Sequence, residues 1–280
     1  MKNIVPALVA AAGLFATPYM AYASADFSAS LLSGSRIING TQSAKNQWPF
    51  MAVLVTKGSN TVYSGQLCDG TFLGGRYVLT AAHCVVDEYT GKKTSANTLQ
   101  VAIGVFDLKS SSAKKKLVNV SKIYSHPKYD GIVNDIAILK LAKEVSGTKV
   151  QLASQDLVNA LQNGNTTTAI GWGATSATED IYPAKLRQVD MPFVEWQTCQ
   201  NLNSEYLSVD ESNVCAGYLE GGKATCYGDS GGPLVYKDNG VYKQIGIDSW
   251  TGGDCAQANA YDVFTNVAYY TDWINNIMNN

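Results

Sequence analysis

Charge is scarce in this chain. Asp, Glu, Lys and Arg make up only 16% of the 280 residues, and the formal net charge is −2. That balance gives no general electrostatic attraction to nucleic acid or to an anionic membrane. The basic run Lys114-Lys115-Lys116 is short, follows Ser110-Ser111-Ser112, and reads as a solvated loop. Beyond the N-terminal stretch no segment is long and apolar enough for a transmembrane helix, so no stable membrane insertion is expected of the mature protein. No C-x-x-C occurs, so a zinc or redox motif has no support. Internal repeats and low-complexity tracts are missing too, and histidine is limited to His83 and His126.

What is present points to an all-β protein. Apolar residues reach 46%, with 25 glycines and 16 tyrosines. Strand-like pieces at 50–55, 76–79, 99–103, 117–123, 136–141, 166–170, 234–236 and 242–247 alternate with breaks such as Gly74-Gly75 and Gly252-Gly253. Helical periodicity is read only in 267–278, where Tyr270, Trp273, Ile274 and Ile277 share a face, giving a terminal helix. A weak point at 144–150 suggests two β-units of similar size.

The N-terminus reads as an address. Lys2 precedes an apolar stretch at 4–15, and Ala21-Tyr22-Ala23 is a small-x-small cleavage signal. Residues 1–23 are therefore expected to be a signal peptide, and 24–36, rich in Ser and Ala, a short propeptide ahead of the working domain at 37–280. The expected location is outside the cell, or the periplasm in transit. All six cysteines lie beyond the signal, which in an exported chain implies disulfides, but their spacing does not choose among the many possible pairings.

Three blocks carry chemistry: Leu79-Thr80-Ala81-Ala82-His83-Cys84, Asn134-Asp135-Ile136-Ala137-Ile138-Leu139 and Gly228-Asp229-Ser230-Gly231-Gly232-Pro233. Singly, each has a structural explanation: a packed histidine, a strand cap, a glycine loop. Together they supply a complete mechanism. A serine needs an adjacent base to become a nucleophile. A histidine can take its proton and return it to the leaving group. A buried carboxylate fixes the imidazole tautomer. A glycine-rich turn offers backbone N–H groups to a developing oxyanion.

With Arg36-Ile37-Ile38-Asn39-Gly40 and Ser249-Trp250, these blocks closely resemble the trypsin-like and chymotrypsin-like serine peptidases, over nearly everything after Arg36. The resemblance implies two packed antiparallel β-barrels with a C-terminal helix, the first barrel roughly 37–145 and the second 146–280. It implies a secreted serine endopeptidase, a monomer acting on protein or peptide substrates without a cofactor or metal. His83 is then the general base, Asp135 its orienting acid and Ser230 the nucleophile, with the N–H groups of Gly228 and Ser230 as oxyanion hole. An activating protease cuts between Arg36 and Ile37, and the new amine of Ile37 pairs with Asp229. The implied disulfides are Cys68 with Cys84, Cys199 with Cys215, and Cys226 with Cys255. His126 has no catalytic counterpart. A non-catalytic member of the same fold is the competing reading. Such members typically lack a triad residue, and this chain keeps all three.

Departures from the family pattern carry further expectations. Cys68 is followed by Asp69 where a glycine is usual, which suggests an acid on the leaving-group side of the cleft. The segment after Asp107 lacks the acidic residues that bind calcium in some relatives. Ala224 stands six residues before Ser230, where trypsin-like members have the aspartate that receives basic side chains. With Thr225 and with Thr251 after Ser249-Trp250, this favours small or medium aliphatic side chains before the scissile bond. Asp262 on the pocket's back wall makes basic side chains the runner-up.

Overall fold

The computed structural model describes residues 37–87, 90–179 and 181–279. The expected signal peptide and the propeptide through Arg36 lie outside the described residues. Six strands close the first barrel: β1 (Met51–Thr56), β2 (Gln66–Gly74), β3 (Tyr77–Thr80), β4 (Leu99–Ile103), β5 (Leu117–Ser125) and β6 (Ala137–Leu141). They pair antiparallel in the ring order β1-β2-β3-β6-β5-β4. Six more form the second: β7 (Thr166–Gly171), β8 (Arg187–Val194), β9 (Asn213–Ala216), β10 (Pro233–Asp238), β11 (Val241–Thr251) and β12 (Asp262–Asn266). Their ring order is β8-β9-β12-β11-β10-β7, closed by pairing of β7 with β8. Closure leaves neither sheet with a free edge of any length.

The period-2 geometry of a strand explains how the barrels pack. In β6, Ala137, Leu139 and Leu141 face the interior of the first barrel. Ile136 and Ile138 belong instead to a cluster with Trp172, Ile247 and Ile274, shared with the second barrel and the C-terminal helix. Both faces are covered, so this segment is apolar without alternation. Ile138 is fully buried in that shared layer, and its truncation to Ala would cost about 2–5 kcal/mol. The same split occurs in β1, where Ala52 and Leu54 face inward while Met51, Val53 and Val55 join the shared cluster.

The C-terminal helix spans Thr271–Met278 and buries Ile274. It is not alone in the chain. Short helices at Val62–Gly65, Ser111–Lys115, Gln155–Ala160 and Trp196–Gln200 run four to six residues, too short to impose a readable period. The run Lys114 to Lys116 is thus the end of a one-turn helix capped by Ser110, and no simple loop; its side chains remain solvated. His126 packs edge-on against Tyr270 and beside Trp273, with ring centroids 5.3 and 5.4 Å away.

Candidate active site

β3 ends at Thr80, and the chain turns through the buried Ala81 and Ala82 to His83. Cys84 is joined to Cys68 on β2, which fastens this turn to the barrel wall. Asp135 lies just ahead of β6 and is 1% exposed. Its Oδ1 accepts the backbone N–H of His83 at 2.9 Å, and its Oδ2 lies 2.7 Å from His83 Nδ1. A carboxylate only accepts, so the shared proton belongs on Nδ1, and Nε2 is the ring nitrogen that can accept another. Ser249 Oγ donates to the same Oδ2 at 2.6 Å from the far barrel.

Ser230 sits in a turn between Cys226 and β10. The turn is closed by Asp229 N–H on Cys226 C=O at 2.9 Å and Gly232 N–H on Asp229 C=O at 2.8 Å. Gly231 has φ = 79°, and a Cβ there would fall 2.2 Å from Thr80 Oγ1, so only glycine fits. Gly228 likewise has φ = 93°. Among the described residues no backbone carbonyl takes the N–H of Gly228 or Ser230. The carbonyl of Ser230 accepts Asp69 N–H of the first barrel at 2.8 Å. The sulfur of Cys84 lies 3.7 Å from that carbonyl and 3.8 Å from His83 Nε2. The Ser230 turn therefore stands beside the imidazole, with His83 and Asp135 from one barrel and Ser230 and Ser249 from the other.

A family model described as Trypsin matches residues 37–274. The chain belongs to the trypsin family. A trypsin-like protease of Streptomyces glaucescens is 36% identical over 87% of this chain and 82% of its own. Bovine coagulation factor XI is 34% identical over 86% of this chain, which spans only 37% of that longer relative. Among solved structures, the VesB protease of Vibrio cholerae is 38% identical with a TM-score of 0.70, covering 85% of this chain and 67% of that one. The secreted serine protease VesC of the same organism is 32% identical with a TM-score of 0.69, over 84% of this chain and 47% of that one. Family membership makes this chain a serine endopeptidase, a hydrolase of peptide bonds.

The structure places the other positions singled out by the family resemblance as follows. Ile37 is fully buried among Val189, Met191 and Phe193, and Ile38 bridges Ala224. Asp229 is 1% exposed and accepts the N–H groups of Gly173 at 2.7 Å and Cys226 at 3.0 Å. Burial pushes its carboxyl up to about 7 against the pull of those two donors. Cys226 is bonded to Cys255 and Cys199 to Cys215. A cavity of about 300 Å³ opens next to Ser230, with Thr225, Ser249, Trp250 and Thr251 on its walls. Ala224 is buried, and Asp262 accepts the N–H of Thr225 at 2.8 Å and lies 3.0 Å from its hydroxyl. A wider groove of about 680 Å³, on Gln155, Val158 and Trp196, has none of His83, Asp135 and Ser230 on its lining.

Asp69 is not where the sequence suggested. It is fully buried, and its carboxyl turns away from the cleft to accept Trp172 N–H at 2.9 Å. It approaches Asp229 instead: a Cβ on Gly171 would lie 2.6 Å from Asp69 Oδ2 and 2.2 Å from Asp229 Oδ1. β2 presents Asp69 to the interface between barrels, where it has no exposure to solvent. Burial, then the charge of Asp229, holds its carboxyl well above the ordinary range. Sequence reasoning also passed over Asp248, buried on the cavity wall. Its signal was an acid inside the apolar run of β11, directly before Ser249.

Proposed function

We propose that this protein is a secreted protease precursor, freed of its signal after Ala23 and activated by cleavage after Arg36. The observation that carries the catalytic part is the bonded series Ser249–Asp135–His83 set beside the Ser230 turn. Ser230 Oγ attacks the peptide carbonyl while His83 Nε2 takes its proton. The carbonyl oxygen, now an anion, is held by the N–H groups of Gly228 and Ser230. His83 then gives the proton to the departing amine, leaving an acyl group on Ser230. Water, deprotonated by the same nitrogen, releases the acid and restores the serine.

Activation follows from Asp229. A buried carboxylate with no cation is costly, and the α-ammonium of a freed Ile37 supplies that cation. Pairing would order Gly228 and Ser230, which flank Asp229 in sequence. Export fits the three disulfides and the secreted relative. The test is an Arg36→Gln precursor offered a peptide substrate beside the processed enzyme. It should be nearly inactive; equal rates would remove the activation step from the reading.

A further inference from the structure

The cavity beside Ser230 has an acidic wall. Asp248 lines it directly, 7% exposed, whereas the carboxyl of Asp262 sits behind Thr225 and off the cavity surface. Among the described residues the Asp248 carboxyl has one hydrogen-bond contact, with Thr225 Oγ1 at 3.2 Å. The same hydroxyl lies 3.0 Å from Asp262 Oδ2. One hydroxyl carries one proton and can donate to only one of the two. The other contact is then satisfied only by a proton on the carboxyl itself.

The surroundings add no compensating charge. Among the described residues neither Asp248 nor Asp262 is paired with a Lys, Arg or His. The ionisable groups bearing on Asp248 are Asp262, Asp229 and Asp135, all acids. Burial holds Asp248 well above the ordinary carboxylate range and Asp262 up to about 6. Two buried acids sharing one hydroxyl, open to solvent on one side only, form a site for a single positive charge. The volume, about 300 Å³, is at the lower end of ligand pockets of roughly 300–1,000 Å³.

We infer that Asp248 is the specificity-determining residue of this protease, receiving the guanidinium or ammonium of an Arg or Lys before the scissile bond, with Asp262 behind Thr225 as the second acid of the pair. The inference rests on the serine-peptidase reading of Ser230. It reverses the order given by Ala224 and Thr251 alone, because the acid missing from the position of Ala224 is provided from β11. A small aliphatic side chain would leave the pair buried with no cation, whereas a basic one balances the single negative charge of a pair that shares one proton.

The test compares kcat/KM of the processed enzyme on matched peptides with Arg, Lys, Val, Ala and Leu before the scissile bond. Each preparation is titrated first with a covalent serine reagent. Arg or Lys should exceed Val by about tenfold or more, and Asp248→Asn should reduce that ratio by about tenfold or more. Asp262→Asn should reduce it less. A second measurement needs no turnover: benzamidine should bind processed Ser230→Ala protein by calorimetry, and about tenfold or more weaker when Asp248→Asn is added. Labelled enzyme that prefers Val or Leu, or keeps its basic preference and benzamidine affinity in Asp248→Asn, overturns the inference and leaves the peptidase reading standing. Protein that takes up no serine reagent overturns both.

Discussion

Asp229 should make the stability of the uncleaved chain depend on pH in a way that processing removes. Its carboxyl lies buried with two backbone N–H donors and is pushed up to about 7 from an ordinary value of 3.8. A pKa raised by folding means the folded chain holds more protons than the unfolded one between those values. The stability linked to this group is thus complete below about pH 4 and is lost as pH rises through about 7. A shift of about three pH units corresponds to about 4 kcal/mol, an upper figure for one group. Cleavage after Arg36 would place the Ile37 ammonium against the carboxylate and recover much of that loss. Asp69, Asp248 and Asp262 are raised in the same direction but are common to both forms. The assay is urea unfolding of precursor and processed chain, both carrying Ser230→Ala, at intervals from pH 4 to 8. The precursor should lose a few kcal/mol more than the processed chain over that range, and Asp229→Asn should flatten its profile. Parallel profiles for the two forms would refute the reasoning.

Other substitutions probe separate parts of the site. Ser230→Ala should leave the fold intact and reduce turnover on the order of a millionfold, read on protein cleared of contaminating protease. Asp69→Asn keeps an acceptor for Trp172 N–H while removing an acid beside Asp229, so it should stabilise the precursor more at pH 8 than at pH 5 in urea unfolding. Gly231→Ala should abolish activity and lower Tm by several degrees, since the added methyl meets Thr80 Oγ1 at 2.2 Å in a left-handed backbone conformation.

The three blocks proposed to carry catalysis stood out in the sequence because each is a contiguous string. Their bringing together did not: the 2.6 Å contact from Ser249 to Asp135 spans 114 positions and needs both barrels closed. Strands with apolar runs, such as 136–141, could be read directly. β2 could not, since Gln66, Asp69, Gly70 and Thr71 interrupt its apolar residues, although most of the strand is buried. Asp69 was misplaced for a related reason. Which way its side chain turns depends on Trp172 and Gly171, about a hundred positions away. Asp248 stayed hidden because its meaning depends on Thr225, brought to it from another loop.

The claim on which everything else rests is that Ser230, activated by His83, is the nucleophile. Its most direct measurement is treatment of the processed protein with an organophosphorus serine reagent, followed by peptide mass mapping. One adduct should form, on Ser230, with its rate falling by orders of magnitude in His83→Ala. Protein that is folded and processed yet takes up no reagent, or takes it up on another residue, would contradict the assignment.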